Sequence, residues 1–308
     1  MVNFHIEPTS KCTLACPLCE RTWLFEKFKK RNLHEINVDN IVNFIGVNKH
    51  VSLCGNNGDP IYHSKFLELV QRFKDNNCSL HIHTNGSAKT KVWWNKLKAM
   101  LTKDDHITFA IDGLKDTNHL YRKNAKWDSI MNAIDTLKDR EFKMIWQFIP
   151  FKHNQHQILE AGNLSKTLGF DEFKLLQSDR WLGKKDLMPD REYVDDYYKT
   201  QKEVLINPDF SLDMQPKCLK NDLPSENLYV DAEGDFYPCC WMGTHRYKYK
   251  NLFSPMKIFG KTKKLFNIKD NTINQILENQ SVKNFFDSTK QFTSAHECCK
   301  INCGVKNG

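Results

Sequence analysis

The sequence predicts an α/β protein: a parallel sheet with helices on its outer face, followed by a smaller C-terminal unit of hairpin and helices. Two observations predict the sheet and one the second unit. Through the first two-thirds of the 308 residues, short apolar runs alternate with longer amphipathic ones, the pattern of repeated strand–helix units. The runs rich in β-branched and aromatic residues are too short for helices. Beyond Pro216 this periodicity stops, and six of the eleven cysteines are gathered there.

Taken in order, the expected strands are Val2–Glu7, His50–Cys54, Leu80–Thr84, Ile107–Asp112, Lys143–Ile149 and Glu172–Leu176. Between them lie helical patterns. Ser64 reads as an N-cap before an apolar face of Phe66, Leu69, Val70 and Phe73. Ile130, Met131, Ile134 and Leu137 repeat that spacing, as do Ile158, Leu159 and Leu164 less cleanly. A linker is expected over Leu205–Pro216, which divides the chain into residues 1–205 and 206–308. After it, Asn227–Asp231 and Asp235–Tyr237 read as a hairpin turning through Ala232-Glu233-Gly234. A helical pair follows, with Ile273, Ile276 and Leu277, then Phe285 and Phe286.

No run approaches the apolar length of a membrane span, and the first residues lack the basic-then-apolar order of a signal peptide. A soluble, cytoplasmic protein without a membrane partner is expected. In that reducing setting eleven cysteines point to metal rather than disulfides. Cys54 and Cys78, apart from the other nine, read as small core residues. The net charge of +8 suits an anionic partner such as a nucleic acid, but also a basic protein with none. From Thr244 to Lys264 seven Lys or Arg and no acid alternate with Tyr247, Tyr249, Phe253 and Phe259. Such a run serves as a solvated loop, a nucleic-acid surface or a dock for an acidic leader peptide.

The chemistry concentrates at Cys12-Thr13-Leu14-Ala15-Cys16-Pro17-Leu18-Cys19, three cysteines spaced C-x3-C-x2-C after the first strand. Thiolates are soft ligands suited to iron–sulfur clusters, and three of them leave one iron of a four-iron cluster open to chelate a ligand. A zinc site would want a fourth Cys or His nearby, and Glu20–Phe28 supply none.

This motif, with apolar Leu18 before its third cysteine, resembles the signature of radical S-adenosylmethionine (SAM) enzymes. The resemblance implies an open, partial (β/α)6 TIM-like barrel with its active site at the C-terminal strand ends. It also implies a SAM-binding [4Fe-4S] cluster on Cys12, Cys16 and Cys19, cleavage of SAM to a 5′-deoxyadenosyl radical, and an electron donor such as flavodoxin or ferredoxin. Gly55-Asn56-Asn57-Gly58-Asp59-Pro60 resembles the family's Gly-Gly-Glu-Pro element, so Gly58 and Asp59 are expected to hold the SAM amino group, with the shorter Asp in place of Glu. Thr84-Asn85-Gly86 and Ala110-Ile111-Asp112-Gly113 are similar to further family elements and bring Asn85 and Asp112 toward SAM, with Ala110 where the family has Ser. His119–Arg122 is similar to a His-x3-Arg segment. Gln147 is expected at the ribose or as a polar residue of the sheet face; Asn154 matches a family Asn or serves as an N-cap.

Cys218, fifteen residues, Gly234, four residues and Cys239 match the pattern that opens a SPASM or twitch domain. With the turn Cys298–Gly304, the resemblance implies one auxiliary [4Fe-4S] cluster on Cys218, Cys239, Cys299 and Cys303, with Cys240 and Cys298 as adjacent alternatives and structural zinc as the other occupant. The shorter twitch form suits six cysteines that include two adjacent pairs. The activity expected is modification of a peptide or protein. Oxidation of a small molecule is the alternative, and a metal-stabilised RNA-binding protein the second. His83, Gln147, Gln177 and Arg180 lie at strand ends without an assigned acid–base role.

Overall fold

The computed structural model describes residues 3–28, 33–176, 184–193, 212–224, 227–244, 258–259 and 263–305. Six strands form its centre: β1 (Asn3–Ile6), β2 (His50–Leu53), β3 (Ser79–Thr84), β4 (His106–Ala110), β5 (Lys143–Phe148) and β6 (Glu172–Leu175). They lie side by side in chain order and all in parallel. Every expected strand is present, with each end within two residues of its expected position.

The helices are α1 (Glu20–Phe28), α2 (Val38–Ile45), α3 (Phe66–Asp75), α4 (Lys91–Met100), α5 (Asn118–Tyr121), α6 (Trp127–Thr136) and α7 (Ile158–Thr167). Alternate strand residues are fully buried against them: Phe4 and Ile6, Val51 and Leu53, Leu80 and Ile82, Met144 and Trp146. Phe4 meets Phe44 of α2 and Phe109 meets Trp94 of α4. Each such large side chain contributes about 1.5–3 kcal/mol. The face turned away from the helices is only half buried, and it carries His5, His50, Ser52, His81, His83, His106 and Gln147. One ion pair is built into the joint between α3, β3 and β4. Asp105, fully buried, accepts from Lys74 Nζ at 2.7 Å, Leu80 N–H at 2.7 Å and Thr102 N–H at 2.7 Å.

Three local expectations are corrected. Ser64 does not cap α3; its hydroxyl and amide bond Glu35 instead, and Lys65 occupies the cap position without a side-chain bond. Leu159 is 83 % exposed, because α7 packs through Ala161 and Ser165, whose small side chains admit the sheet closely. Asn154 stands at the cap position before Gln155–Gln157 but makes no side-chain capping bond: its Nδ2 donates to the carbonyls of Asp112 at 3.0 Å and Ile149 at 3.1 Å, clamping the chain beyond β4 to that beyond β5.

The C-terminal part contains β7 (Asp213–Met214), β8 (Leu219–Lys220), β9 (Leu223–Pro224), β10 (Leu228–Val230), β11 (Phe236–Tyr237), α8 (Cys240–Thr244), α9 (Ile273–Glu278), α10 (Gln280–Ser288), α11 (Glu297–Cys303) and β12 (Gly304–Val305). The expected hairpin is β10–β11, turned by Gly234 at φ +86°. Nothing in the sequence signals where it goes. β10 pairs in parallel with β1, so the sheet runs β11-β10-β1-β2-β3-β4-β5-β6. The expected turn over Cys298–Gly304 is instead the helix α11, its first amides capped by His296. Helical spacing sets Cys299 and Cys303 on one face. Leu205, the expected domain boundary, most of the linker, Gln177, Arg180 and most of the basic run after Thr244 lie outside the described residues. Among the described residues no helix is long and apolar enough to cross a membrane.

Candidate active site

The three clustered cysteines follow β1 at the C-terminal end of the sheet. Cys12, Cys16, Leu18 and Cys19 pack with Leu14, Tyr121 and Phe151 in an apolar nest separate from the main core. The loop is held from three sides: Thr13 Oγ1 meets the Tyr62 hydroxyl at 2.6 Å, Ala15 N–H donates to Lys123 O at 3.0 Å, and Arg21 donates to Leu14 O. Burial pushes the Cys12 thiol up to about 12 and Cys16 up to about 11. A metal ion bound there would take the place of those protons. The Arg122 guanidinium opposes the rise at Cys16.

The loop Gly55–Pro60 lies beside them. Gly58 has no room for a side chain: a Cβ there would stand 1.9 Å from Thr9 O, and one at Gly55 would stand 2.0 Å from Gly58 O. The amides of Asn57 and Gly58 both donate, at 2.7 Å, to Oε1 of Glu7, a fully buried carboxylate at the end of β1. Asp59 accepts from Thr84 Oγ1 at 3.0 Å and from the backbone amide of Asn85 at 2.7 Å, and Asn85 Nδ2 reaches both Asp59 and, at 3.6 Å, Cys12 Sγ. Burial raises the Asp59 carboxyl to about 6. Asn57 Oδ1 is buried without a hydrogen-bond partner. An orphaned acceptor and a desolvated acid beside tightly packed glycines fit the ammonium of an amino acid such as SAM.

Asp112 is placed differently. Its carboxylate is taken up by Arg122 Nε at 2.6 Å and by Ile149 N–H at 2.8 Å, and burial leaves it fully enclosed. It positions Arg122 beside Cys16. Gln147 lies on β5 on the half-buried sheet face, level with Ala110 and Lys174. That face also holds His81 and His83, their rings 4.1 Å apart; burial lowers His5 and His81 to about 4 and His83 well below its usual range.

The second cysteine set surrounds one cavity of about 100 Å³, lined by Cys218, Cys239, Cys240, Cys298, Cys299 and Cys303. Burial and the neighbouring thiols raise Cys218 and Cys298 to about 12 and push Cys239 and Cys299 well above the usual thiol range. None of the described cysteines is in a disulfide. Among the described residues no three His, Cys, Asp or Glu side chains converge closely enough for a single metal ion. A four-iron cluster takes each thiolate on a separate iron, and the six cysteines around this cavity are enough to supply four.

Glu7, Tyr62 and Tyr229 are site residues that sequence reasoning missed. Glu7 carried the only available signal, an acid at the end of an apolar strand just before the cysteine loop.

Comparison with known proteins agrees with this geometry. The model of the radical SAM superfamily matches residues 6–161, and that of the SPASM iron–sulfur cluster-binding domain matches residues 218–304. No curated protein matches the chain. Among solved structures it is similar to native anSMEcpe with bound AdoMet and Kp18Cys peptide, at 16% identity and TM-score 0.61 over 98% of this chain and 88% of that one. It is also similar to Streptococcus suis SuiB bound to precursor peptide SuiA, at 14% identity and TM-score 0.61 over 99% and 71% of the two chains. With the cysteine loop, the partial barrel and the matched residues together, the chain belongs to the radical SAM superfamily.

Proposed function

We propose that this radical SAM enzyme modifies a peptide or protein, with residues 1–205 as its SAM-cleaving core and 206–308 as the segment that holds one auxiliary [4Fe-4S] cluster. The observation that carries the reading is that two buried thiol sets flank one loop. On one side Asn85, which bonds Asp59 of the Gly55–Pro60 loop, reaches Cys12 Sγ, and on the other Asn56 of that loop donates to Cys240 O at 3.3 Å. The two similar solved structures carry peptides, which supports a peptide as substrate.

Cys12, Cys16 and Cys19 would hold the first cluster; Cys218, Cys239, Cys299 and Cys303 the second, the last two being helix neighbours. The chemistry supplied by such a cluster with SAM is reductive cleavage to an adenosyl radical that takes a substrate hydrogen. The chain's own part is to bind and to shield. Asp59 and Asn57 receive the SAM ammonium, Gly58 lets it approach, Leu18 and the Tyr121–Phe151 pair keep water from the loop, and Gln147 faces the chamber.

The test is anaerobic reconstitution with iron and sulfide, counting both, then addition of SAM and a strong reductant. The expected result is about eight irons per chain, falling to about four in the Cys12/Cys16/Cys19→Ala variant, with 5′-deoxyadenosine formed only by the wild type. Zinc in place of iron and no deoxyadenosine would overturn the enzymatic reading. Deoxyadenosine with only about four irons, all lost in the variant, would overturn the auxiliary cluster.

A further inference from the structure

We infer that Glu7 and Tyr229 are positioning residues that tie the SAM-binding loop to the auxiliary-cysteine segment, so that the state of one site is felt at the other. The inference rests on the two-site reading above and adds the physical link between the sites. One carboxylate makes three strong contacts. Glu7 Oε1 takes the amides of Asn57 and Gly58, each at 2.7 Å, and Oε2 takes the Tyr229 hydroxyl at 2.6 Å. Glu7 and Tyr229 are both fully buried. Charge-assisted bonds in such surroundings are strong, and the network is sensitive to the loss of any member.

From Tyr229 the link continues into α8. The tyrosine ring fills the space over Gly243, where a Cβ would stand 2.1 Å from its Cε1. Gly243 N–H in turn donates to Cys239 O at 3.3 Å, closing the turn that carries Cys239 and Cys240. A parallel strand of the same connection is Asn56 Nδ2 to Cys240 O. On its other side Tyr229 packs edge-on against His5, with ring centres 4.9 Å apart, and β10 holds it opposite His5 in register. Movement of the Cys239 turn therefore meets the Tyr229 ring, and movement of that ring shifts the carboxylate that orients the Gly58 amide. Neither residue is placed to touch the reacting atoms.

The test uses reconstituted holoenzyme and SAM itself as probe, reading the SAM dissociation constant anaerobically and the electron paramagnetic resonance spectrum of the reduced SAM-side cluster. Tyr229→Phe removes one oxygen and should weaken SAM about tenfold while iron content stays at the wild-type value. Glu7→Gln gives up the charge that strengthens all three bonds, and should weaken SAM as Tyr229→Phe does, again at wild-type iron content. Reducing or oxidising the auxiliary cluster should change SAM affinity in the wild type and not in Tyr229→Phe; Cys239→Ala should likewise weaken SAM in the first background and add nothing in the second. Equal SAM affinity for wild type and Tyr229→Phe, or effects of Tyr229→Phe and Cys239→Ala that simply add, would overturn the link. A wild type that binds SAM and forms deoxyadenosine yet gives either of those results sinks the link alone; a wild type that does neither sinks the two-site reading with it.

Discussion

Single atoms decide much at the residue scale. Gly58 faces the Thr9 carbonyl so closely that a methyl group would displace the loop. Gly58→Ala is therefore expected to weaken SAM binding at least about tenfold, a loss of ~1.4 kcal/mol, and to lower the melting temperature. Equilibrium dialysis beside calorimetry checks both, and unchanged binding would refute the assignment of this loop. The histidines of the open sheet face give a pH dependence. His5 and His81 sit at about 4 in the folded chain against the ordinary 6.5, because burial disfavours the charged ring. As pH falls below 6.5 the unfolded chain takes up protons first, so stability present above 6.5 is lost on the way to 4. His81→Gln should flatten that loss, measured as denaturant midpoints at stepped pH; an identical slope in both proteins would contradict it. The cysteines and Gly58 were legible as residues because their chemistry and spacing are local. Glu7 and Tyr229 were not, since their meeting joins positions more than two hundred residues apart.

Element by element, prediction worked where one side chain pattern determines one face. All six strands and the apolar face of α3 follow from periodicity, and Phe66, Leu69, Val70 and Phe73 are indeed buried. It failed where a polar residue had a choice of partners. Ser64 is a good cap by type, but Glu35 offers it a carboxylate; Asn154 is a cap by type, but two strand-end carbonyls claim it. Asp105 is the polar residue with most at stake, because α3, β3 and the turn before β4 all bond to it. Removing it takes the carboxylate from Lys74, which keeps the Cys78 carbonyl at 3.0 Å, and leaves two amides without their acceptor. Asp105→Ala should cost about 3–5 kcal/mol, read as a shift in urea midpoint with little change in slope. A cost below about 1 kcal/mol would mean that the pair behaves as a surface bridge.

For the whole molecule, alternation announced a parallel sheet, and the cysteine spacing announced two thiol sets. What escaped is that the second part of the chain adds β10 and β11 to the edge of the first part's sheet. Hydrophobic pattern assigns a strand to a face but does not choose its neighbour. A chain ending at residue 205 should accordingly keep its helices yet associate through the uncovered edge of β1, seen as oligomers in sedimentation velocity; a monodisperse, equally stable fragment would show that β10 is dispensable. The same pairing governs the order of assembly. Phe4 must wait for Leu228, more than two hundred residues later, so at ribosomal rates of about 5–20 residues per second the first strand made stands incomplete for on the order of 10–40 s. Contacts of such long sequence separation are slow to form. The nascent chain thus exposes an adhesive strand beside three uncommitted thiols, and its yield in the cell should depend on chaperones and on how soon the last third is made.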